Sequence, residues 1–222
     1  MTAVTQNASN TKPETRVVMV VEDEDLLRDL IARALEERGF TVHTAATAAD
    51  AKRVFRGTDP DALLVDVNLG AGPNGFDLVD VLLTQAPYLA VVFLTNLPDP
   101  RFADRDSGAL PKNIAYLRKS AISDIDAVVN AVDATMRGVV SEELRHDRDK
   151  NRPFGNLTRN QVEILRLIAE GKSNIQIAEH RGVTVKAVED SVRRTCDAIG
   201  IPAHSEGNSR VNAARAYLTT AK

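Results

Sequence analysis

The chain has 222 residues, of which 43% are hydrophobic and 27% are charged, so it is long enough for one large domain or two small ones. No apolar run approaches the roughly 18 residues that cross a bilayer, and we do not expect the polar stretch from Met1 to Thr15 to act as a signal peptide. Cys196 is the only cysteine, which excludes an intrachain disulfide and favours a reducing cytoplasm. We predict a disordered lead-in over residues 1–16.

The net charge of −3 is unevenly distributed along the chain. From Asn151 onward there are 11 Lys and Arg against 7 Asp and Glu, whereas the preceding part is acidic, with a net charge of −7. An acidic first part followed by a mildly basic last third indicates two domains, the second of which faces a polyanion.

Strand-like and helix-like segments alternate through the acidic part. Short β-branched or apolar runs predict strands at residues 16–21, 40–44, 63–67, 90–95 and 115–119. Helical spacing predicts helices from residue 26 to the stop at Gly39 and over 45–55, 76–83 and 123–136, the last with Ser123 as N-cap and Asp126 completing an acidic capping box. This alternation predicts a parallel sheet covered by helices on both faces.

One carboxylate, Asp66, interrupts the apolar run from Ala62 to Val67. A charge is unfavourable inside a buried strand, so we place Asp66 at the carboxyl end, where open parallel sheets bind ligands. Taken alone, Asp66 is better explained as an ordinary turn cap. The interpretation changes because other predicted strands end in matching polar groups.

In a parallel sheet, the carboxyl ends of all strands share one edge. That edge would bring together Glu22, Asp23, Asp66, Thr95 and Lys119. Three clustered carboxylates repel one another unless a cation lies among them, and hard oxygen ligands suit Mg²⁺. A carboxylate facing an ammonium and a hydroxyl is arranged to attack a phosphoryl group.

From Val17 to Gly138 the chain resembles the receiver domain of two-component response regulators, so we predict a receiver domain over residues 17–138. The resemblance implies a flavodoxin-like α/β fold with a five-stranded parallel sheet, and Asp66 as the phospho-acceptor. It further implies a Mg²⁺ site and a set of residues that respond to phosphorylation. The implied Mg²⁺ ligands are Glu22, Asp23, Asp66 and the backbone carbonyl of Asn68. The implied responding residues are Thr95 as switch hydroxyl, Lys119 as phosphate-binding lysine, and Tyr116 as the aromatic that rotates inward.

The segment from Asn96 to Asn113 departs from the receiver pattern. It contains Pro98, Pro100 and Pro111 and has little apolar periodicity, so we predict a short or irregular fourth helix. Asn96 also follows Thr95 where the family usually has a small residue, and Ser120 replaces a frequent proline. A regular three-turn helix across residues 101–108 would contradict this prediction.

Residues 139–153 are predicted to be a linker, because they have almost no apolar content and cannot form a core. We expect this segment to extend the preceding helix and to break at Pro153. His146 is expected to be a solvated side chain.

Residues 154–222 are predicted to form an all-α helix-turn-helix domain of four helices. Thr158 with Gln161 fits a capping box, Ser173 caps a second helix, and Thr184 caps a third. The residues predicted to face the core are Val162, Leu165, Leu167, Ile168 and Ala169 on the first helix, Ile175, Ile177 and Ala178 on the second, and Val185, Val188, Val192, Cys196 and Ile199 on the third. Two short helices joined by the glycine turn at Gly182 are typical of a motif whose second helix enters the DNA major groove.

From about Asn156 to Ala221 the pattern resembles the LuxR/NarL class of helix-turn-helix. The resemblance implies a fourth helix, beginning at Asn208, that pairs two DNA-bound copies. The candidate DNA contacts are Lys172, Asn174, Thr184, Lys186, Arg193 and Arg194. Cys196 lies on the apolar stripe, so we interpret it as a buried thiol.

The leading hypothesis is a DNA-binding transcriptional regulator, not an enzyme, that a sensor histidine kinase phosphorylates on Asp66 and that dimerises when active. One alternative makes the receiver an unphosphorylated dimerisation module, as the irregular segment after Thr95 suggests. Another is an aspartate-nucleophile phosphatase, but that chemistry needs a general acid two residues after the nucleophile, where this chain has Asn68.

Overall fold

The computed structural model describes residues 16–106, 108, 110–201 and 208–220. Apart from Arg16, the predicted lead-in therefore lies outside the described residues. An α/β part and a C-terminal helical part are joined by a segment without α-helix or strand.

The α/β part is built on a five-stranded sheet in the order β2-β1-β3-β4-β5, in which every pairing is parallel. The strands are β1 Val17–Val21, β2 Thr41–Ala45, β3 Ala62–Val65, β4 Ala90–Thr95 and β5 Ala115–Arg118. All four residues of β3 are buried, as expected of a central strand covered on both faces. The predicted flavodoxin-like architecture is confirmed.

Helices cover both faces of the sheet, at α1 Asp25–Glu37, α2 Ala48–Thr58, α3 Gly75–Gln85 and α4 Ile125–Met136. Alternate strand residues point to opposite faces, so two separate cores form. Leu64 joins a core with residues of α1 and α4, whereas Leu63 and Val65 join one with residues of α2 and α3. The two layers therefore fix the strands, and with them the positions of the strand ends.

The start of α4 differs from the sequence prediction. Asp124, not Ser123, is the N-cap, and its carboxylate accepts a hydrogen bond of 2.8 Å from the backbone N–H of Ala127. Ser123 instead donates to Asp124, and Asp126 forms an ion pair of 2.8 Å with Arg38. The helix therefore begins one residue later than predicted, with the Asp124 carboxylate satisfying one of its free N–H groups.

The prediction of an irregular fourth helix is confirmed. Within the described residues between β4 and β5, the only helical turn is a 3₁₀ turn at Pro100–Ala103. Asp104 ends this turn with a left-handed φ of 64°. Pro100 stands at the first turn, where its missing N–H is harmless, and the 3₁₀ turn does not continue into an α-helix.

The linker is ordered against the sheet, which corrects two predictions. The helix does not continue: α4 ends at Met136, and two 3₁₀ turns follow at Glu142–Leu144 and His146–Arg148. Arg145 forms a parallel bridge with Tyr116, so the linker runs along the free edge of β5.

His146 is half-buried rather than solvated, and its Nδ1 accepts a hydrogen bond of 2.9 Å from the backbone N–H of Arg118. Burial, together with the nearby charge of Arg118, lowers the pKa of His146. The low apolar content was misleading because this segment buries a charge pair: Arg145 binds both oxygens of Asp147, at 2.8 and 2.9 Å.

The C-terminal part comprises α5 Arg159–Ala169, α6 Asn174–Arg181, α7 Val185–Ala198 and α8 Ser209–Thr220. The predicted capping box at Thr158 and the predicted caps at Ser173 and Thr184 are present, and Ser173 also forms a capping box with Gln176. Most of the predicted core residues are buried or half-buried, Cys196 among them.

Two residues predicted to face this core are exposed instead, Ile175 at 59% and Val185 at 37%. Ile175 lies two positions before the buried Ile177, which places it on the far side of a helix with 3.6 residues per turn. Val185 is the first residue of α7, where the helix end is open to solvent.

Gly75 provides a test of how tightly the β3–α3 connection is packed. A β carbon at Gly75 would overlap the backbone carbonyl oxygen of Asp66, whereas one at Gly57 in α2 would meet nothing within 4 Å. We expect Gly75→Ala to lower the free energy of unfolding of the α/β part by about 1–3 kcal/mol. The matched variant Gly57→Ala should leave it unchanged or raise it by about 0.5–1 kcal/mol. Urea denaturation followed by circular dichroism measures both, and equal effects would contradict the packing argument.

Candidate functional site

An acidic pocket lies at the carboxyl edge of the sheet. Glu22 and Asp23 follow β1, Asp66 follows β3, and carboxylate oxygens of all three lie within 4.8 Å of one another. β1 and β3 are neighbours in the sheet, but the chain goes from β1 to β2 on one side and from β3 to β4 on the other. Open α/β sheets form a ligand crevice at such a reversal of strand order. Glu22 and Asp66 are buried, and Asp23 is exposed to solvent.

Lys119 supplies the positive charge in this pocket. Its Nζ lies 2.7 Å from Asp66 Oδ2 and 2.8 Å from Glu22 Oε2. Burial alone would lower the pKa of Lys119, but the hydrogen bond and charge of Asp66 outweigh it, and the pKa is raised. Burial, reinforced by the charge of Asp66, raises the pKa of Glu22 although Lys119 opposes the shift.

Backbone contacts fix the position of Asp66. The backbone N–H of Asn68 donates to Asp66 Oδ1 at 3.1 Å, and the backbone N–H of Asp66 pairs with the carbonyl of Val21 at 2.9 Å. Gly70, with a left-handed φ of 70°, turns the following loop close to the Asp23 carboxylate. The Asp66 carboxylate is therefore positioned by backbone contacts at the end of the sheet.

Thr95 and Tyr116 are both fully buried and both contact Leu97. The backbone N–H of Leu97 approaches Thr95 Oγ1 at 3.4 Å, and the Tyr116 hydroxyl donates to the Leu97 carbonyl at 3.0 Å. Burial raises the pKa of Tyr116 well above its usual value, with further contributions from the charges of Asp99 and Asp147. The Tyr116 side chain already points inward.

The residues of the pocket fit a hard divalent cation. All three acidic donors offer carboxylate oxygen, and the exposed Asp23 leaves room for water in the remaining positions of the coordination shell. Lys119 balances part of the charge of the two buried acids, so the cation would complete that neutralisation.

The candidate DNA interface lies on the helix-turn-helix α6–α7, joined at Gly182 with a left-handed φ of 65°. Lys186, Arg193 and Arg194 are exposed on α7. Asp190 lies 3.6 Å from Lys186 and 3.3 Å from Arg193, so this acid is paired with two of the cations of the helix.

Three other predicted DNA contacts make local contacts in this structure. Thr184 caps α7 by accepting from Ala187 N–H at 3.2 Å. The half-buried Asn174 accepts from Arg210 Nη1 at 2.7 Å, and Arg210 also binds the carbonyl oxygen of Lys172. Sequence reasoning missed Arg210, which ties α8 to the start of α6, because its partners lie 36 and 38 residues away.

Comparisons with known proteins identify the families of the two parts of the chain. A family model for the response regulator receiver domain matches residues 18–106, and one for bacterial regulatory proteins of the luxR family matches residues 155–205. Together the two matches take in more than half of the chain.

The chain is 25% identical over 183 residues to the transcriptional regulatory protein LiaR of Bacillus subtilis, covering 79% of this chain and 86% of LiaR. It is 28% identical over 192 residues to the DNA-binding transcriptional activator DevR/DosR of Mycobacterium tuberculosis, covering 83% of this chain and 88% of that protein. The response regulator RcsB in a complex with DNA has a similar fold, with a TM-score of 0.57 at 19% identity, covering 94% of this chain and 100% of RcsB.

The fold and the acidic pocket therefore define a response regulator of a two-component system. More specifically, the chain belongs to the LuxR-type response regulators, which are DNA-binding regulators of transcription and not enzymes. Among the described residues, no helix has both the length and the apolar character to span a membrane.

Removing the Lys119 charge should leave two buried carboxylates without their counterion. We expect Lys119→Gln to lower the free energy of unfolding by roughly 2 kcal/mol at about pH 7.5. The deficit should shrink towards about pH 5, because the pKa of Glu22 is already raised and rises further without the ammonium, so that a proton replaces the missing charge. Since Lys119 has a raised pKa, the wild-type advantage is present at neutral pH and is lost only in strongly alkaline solution.

Urea denaturation at the two pH values, with a chelator present, measures this effect. Lys112→Gln is the matched control, because Lys112 is exposed. A Lys119→Gln deficit that is independent of pH would show that Lys119 acts through packing alone.

Proposed function

We propose that this response regulator is switched by transfer of a phosphoryl group to Asp66 from a sensor histidine kinase. The observation that supports this most strongly is the Asp66 carboxylate, which is held at the sheet edge between Lys119 and the other acids of the pocket. One Asp66 oxygen attacks phosphorus while the bond from phosphorus to the donor nitrogen breaks, and the leaving imidazole takes up a proton.

Lys119 stabilises the negative charge on the oxygens of the transferring group. Glu22, Asp23, Asp66 and the backbone carbonyl of Asn68 would hold Mg²⁺, which supplies further charge neutralisation when bound. Thr95 then moves towards the phosphorylated Asp66, because its hydroxyl can donate to a phosphoryl oxygen.

The output of the proposed mechanism is a DNA-binding dimer. The α7 helix enters the major groove, Arg193 and Arg194 read base edges or phosphates, and Lys186 neutralises phosphate. Lys172, Asn174 and Thr184 support the contact at the DNA backbone. The α8 helices of two copies pair, so that half-sites lie about one DNA turn apart. The proposal places the chain in the cytoplasm, where DNA and a kinase phosphodonor are both accessible.

A second candidate keeps the DNA-binding output but uses the receiver as a phosphorylation-independent dimerisation module. Two observations favour it. Tyr116 is already buried and hydrogen-bonded to Leu97, and the described residues form only a 3₁₀ turn where other receivers have their fourth helix. The two candidates differ in whether the state of Asp66 affects DNA binding.

The first test is phosphorylation of Asp66. We expect acetyl phosphate to modify wild-type protein and to tighten binding to a DNA duplex selected in vitro with the full-length chain, whereas Asp66→Asn should show neither effect. The matched control is Asp59→Asn, because Asp59 is exposed and its left-handed φ of 43° is one that Asn tolerates. Mass spectrometry and fluorescence anisotropy provide the measurements. If Asp66→Asn responded like wild type, the second candidate would be favoured.

The second test is the metal. Asp23→Asn should weaken Mg²⁺ binding at least tenfold, because it removes one of three carboxylates from the cluster. Glu24→Gln removes a neighbouring exposed acid outside the cluster and should have little effect. Isothermal titration calorimetry with Mg²⁺ distinguishes the two, and equal losses would mean that only the general negative potential attracts the ion.

A further inference from the structure

We propose that Asp99, Arg101 and Arg152 form an interdomain latch that holds α8 against the receiver until phosphorylation releases it. The release step rests on the proposed function of Asp66, whereas the restraint of α8 does not. The latch lies in the irregular segment after β4 and in the linker, which the sequence left without a role.

Asp99 is the centre of the latch, and its side chain is completely buried. Its Oδ1 accepts from the backbone N–H and the Nε of Arg101, at 3.0 and 2.8 Å. Its Oδ2 accepts from Arg101 Nη2 at 2.5 Å and from Arg152 Nε at 2.8 Å. One receiver carboxylate therefore binds one guanidinium from its own turn and another from the linker.

Arg101 continues the network into the C-terminal part. Its guanidinium donates to the carbonyl of Phe154 at 3.1 Å and to the carbonyl of Leu157, immediately before α5. Arg152 also donates to the carbonyl of Asp149 at 2.9 Å, which fixes the course of the linker. The path from Asp99 to the base of α5 thus consists of charge-assisted hydrogen bonds.

An aromatic contact completes the latch. The ring of Phe102 stacks on Tyr217 of α8, with centroids 5.4 Å apart and planes 17° apart, and on Phe154 at 6.1 Å and 15°. Phe102 and Tyr217 are both buried. The helix expected to pair two DNA-bound copies is therefore packed against the receiver of its own chain.

Burial distinguishes this network from the other ion pairs between the two parts. Removing one partner of a buried pair leaves an uncompensated charge, which is strongly destabilising. Arg159 also reaches across, to Asp104 and Asp106, but these side chains are well exposed, and pairs of that kind contribute little. The closed arrangement therefore depends on Asp99 rather than on the surface pairs.

The latch lies close in sequence to Thr95, the residue that is expected to respond when Asp66 is phosphorylated. Thr95 contacts Leu97, and Asp99 follows two residues later. The 3₁₀ turn at Pro100–Ala103 has no α-helical hydrogen-bond ladder to absorb a displacement. Movement of Thr95 towards a phosphorylated Asp66 would pull Leu97 and draw Asp99 away from the guanidinium of Arg152.

The latch restrains α8 without covering the recognition helix. Lys186, Arg193 and Arg194 remain exposed on α7 in the closed state. Release therefore changes the ability of two copies to pair, and DNA affinity rises because a dimer binds both half-sites.

Arg152→Gln in the full-length chain tests the latch, because it removes one guanidinium from a half-buried linker position. Arg148→Gln is the matched control: its pair with Glu142 lies within the linker, at 3.2 Å, and is partly exposed. Without any phosphate donor, we expect faster amide hydrogen exchange in α8 and about tenfold tighter binding to the in vitro selected duplex, within the roughly 5- to 150-fold range of allosteric coupling. Arg148→Gln should behave like wild type.

Phe102→Leu provides a second route, because it removes the stacking on Tyr217 while keeping an apolar side chain, and it should give the same two changes. If both variants, folded by circular dichroism, kept α8 protected and DNA affinity at the wild-type level, the latch would be refuted. Beryllofluoride, a phosphoryl mimic, distinguishes the latch from the proposed function of Asp66. If it changed neither α8 hydrogen exchange nor DNA affinity in wild type, while Arg152→Gln changed both, the latch would be supported and the proposed switch at Asp66 would be refuted.

Discussion

The ion pairs of Lys119 with Glu22 and Asp66 stabilise the carboxyl edge of the sheet, on which the rest of the receiver depends. A parallel sheet brings all its carboxyl ends to one edge, so Glu22 and Asp66 are buried side by side whatever else the chain does. Their mutual repulsion and desolvation would be unfavourable without the ammonium that lies within 2.8 Å of both. The same arrangement supports the proposed function, because a carboxylate that needs positive charge around it is suited to hold a cation and to accept a phosphoryl group.

Buried ion pairs also occur outside the pocket. Asp99 is neutralised by two guanidiniums, and the pKa of its carboxyl is lowered because the hydrogen bonds from Arg101 and Arg152 outweigh the effect of burial. Arg145 and Asp147 form a second buried pair against β5. Both networks lie beside the connection between β4 and β5, in which the described residues form a 3₁₀ turn and no α-helix. Charge pairs therefore take over the packing that a helix would provide, and they do so with residues of the linker.

Sequence reasoning located the sheet and the pocket because their signals are local. Apolar runs mark the strands, and the chemistry of parallel sheets places Asp23, Asp66 and Lys119 on one edge without further information. The linker was misjudged because its stability comes from partners that periodicity cannot identify: Asp99 and Arg152 are 53 residues apart. Ser123 and Asp124 illustrate a finer limit, since both can cap a helix and only the three-dimensional course of the chain decides between them.

The position of α8 connects the two ends of the molecule. Through Tyr217 it contacts the receiver at Phe102, and through Arg210 it binds Asn174 and the carbonyl of Lys172 at the start of α6. A displacement of α8 would therefore reach the helix-turn-helix by a direct hydrogen-bonded contact, besides exposing the ring of Tyr217. Because α7 is open to solvent in the closed state, a mechanism based on α8 explains regulation more simply than one based on covering the DNA-reading surface. Phosphorylation would then act on the free energy of dimerisation, and DNA affinity would follow from it by mass action.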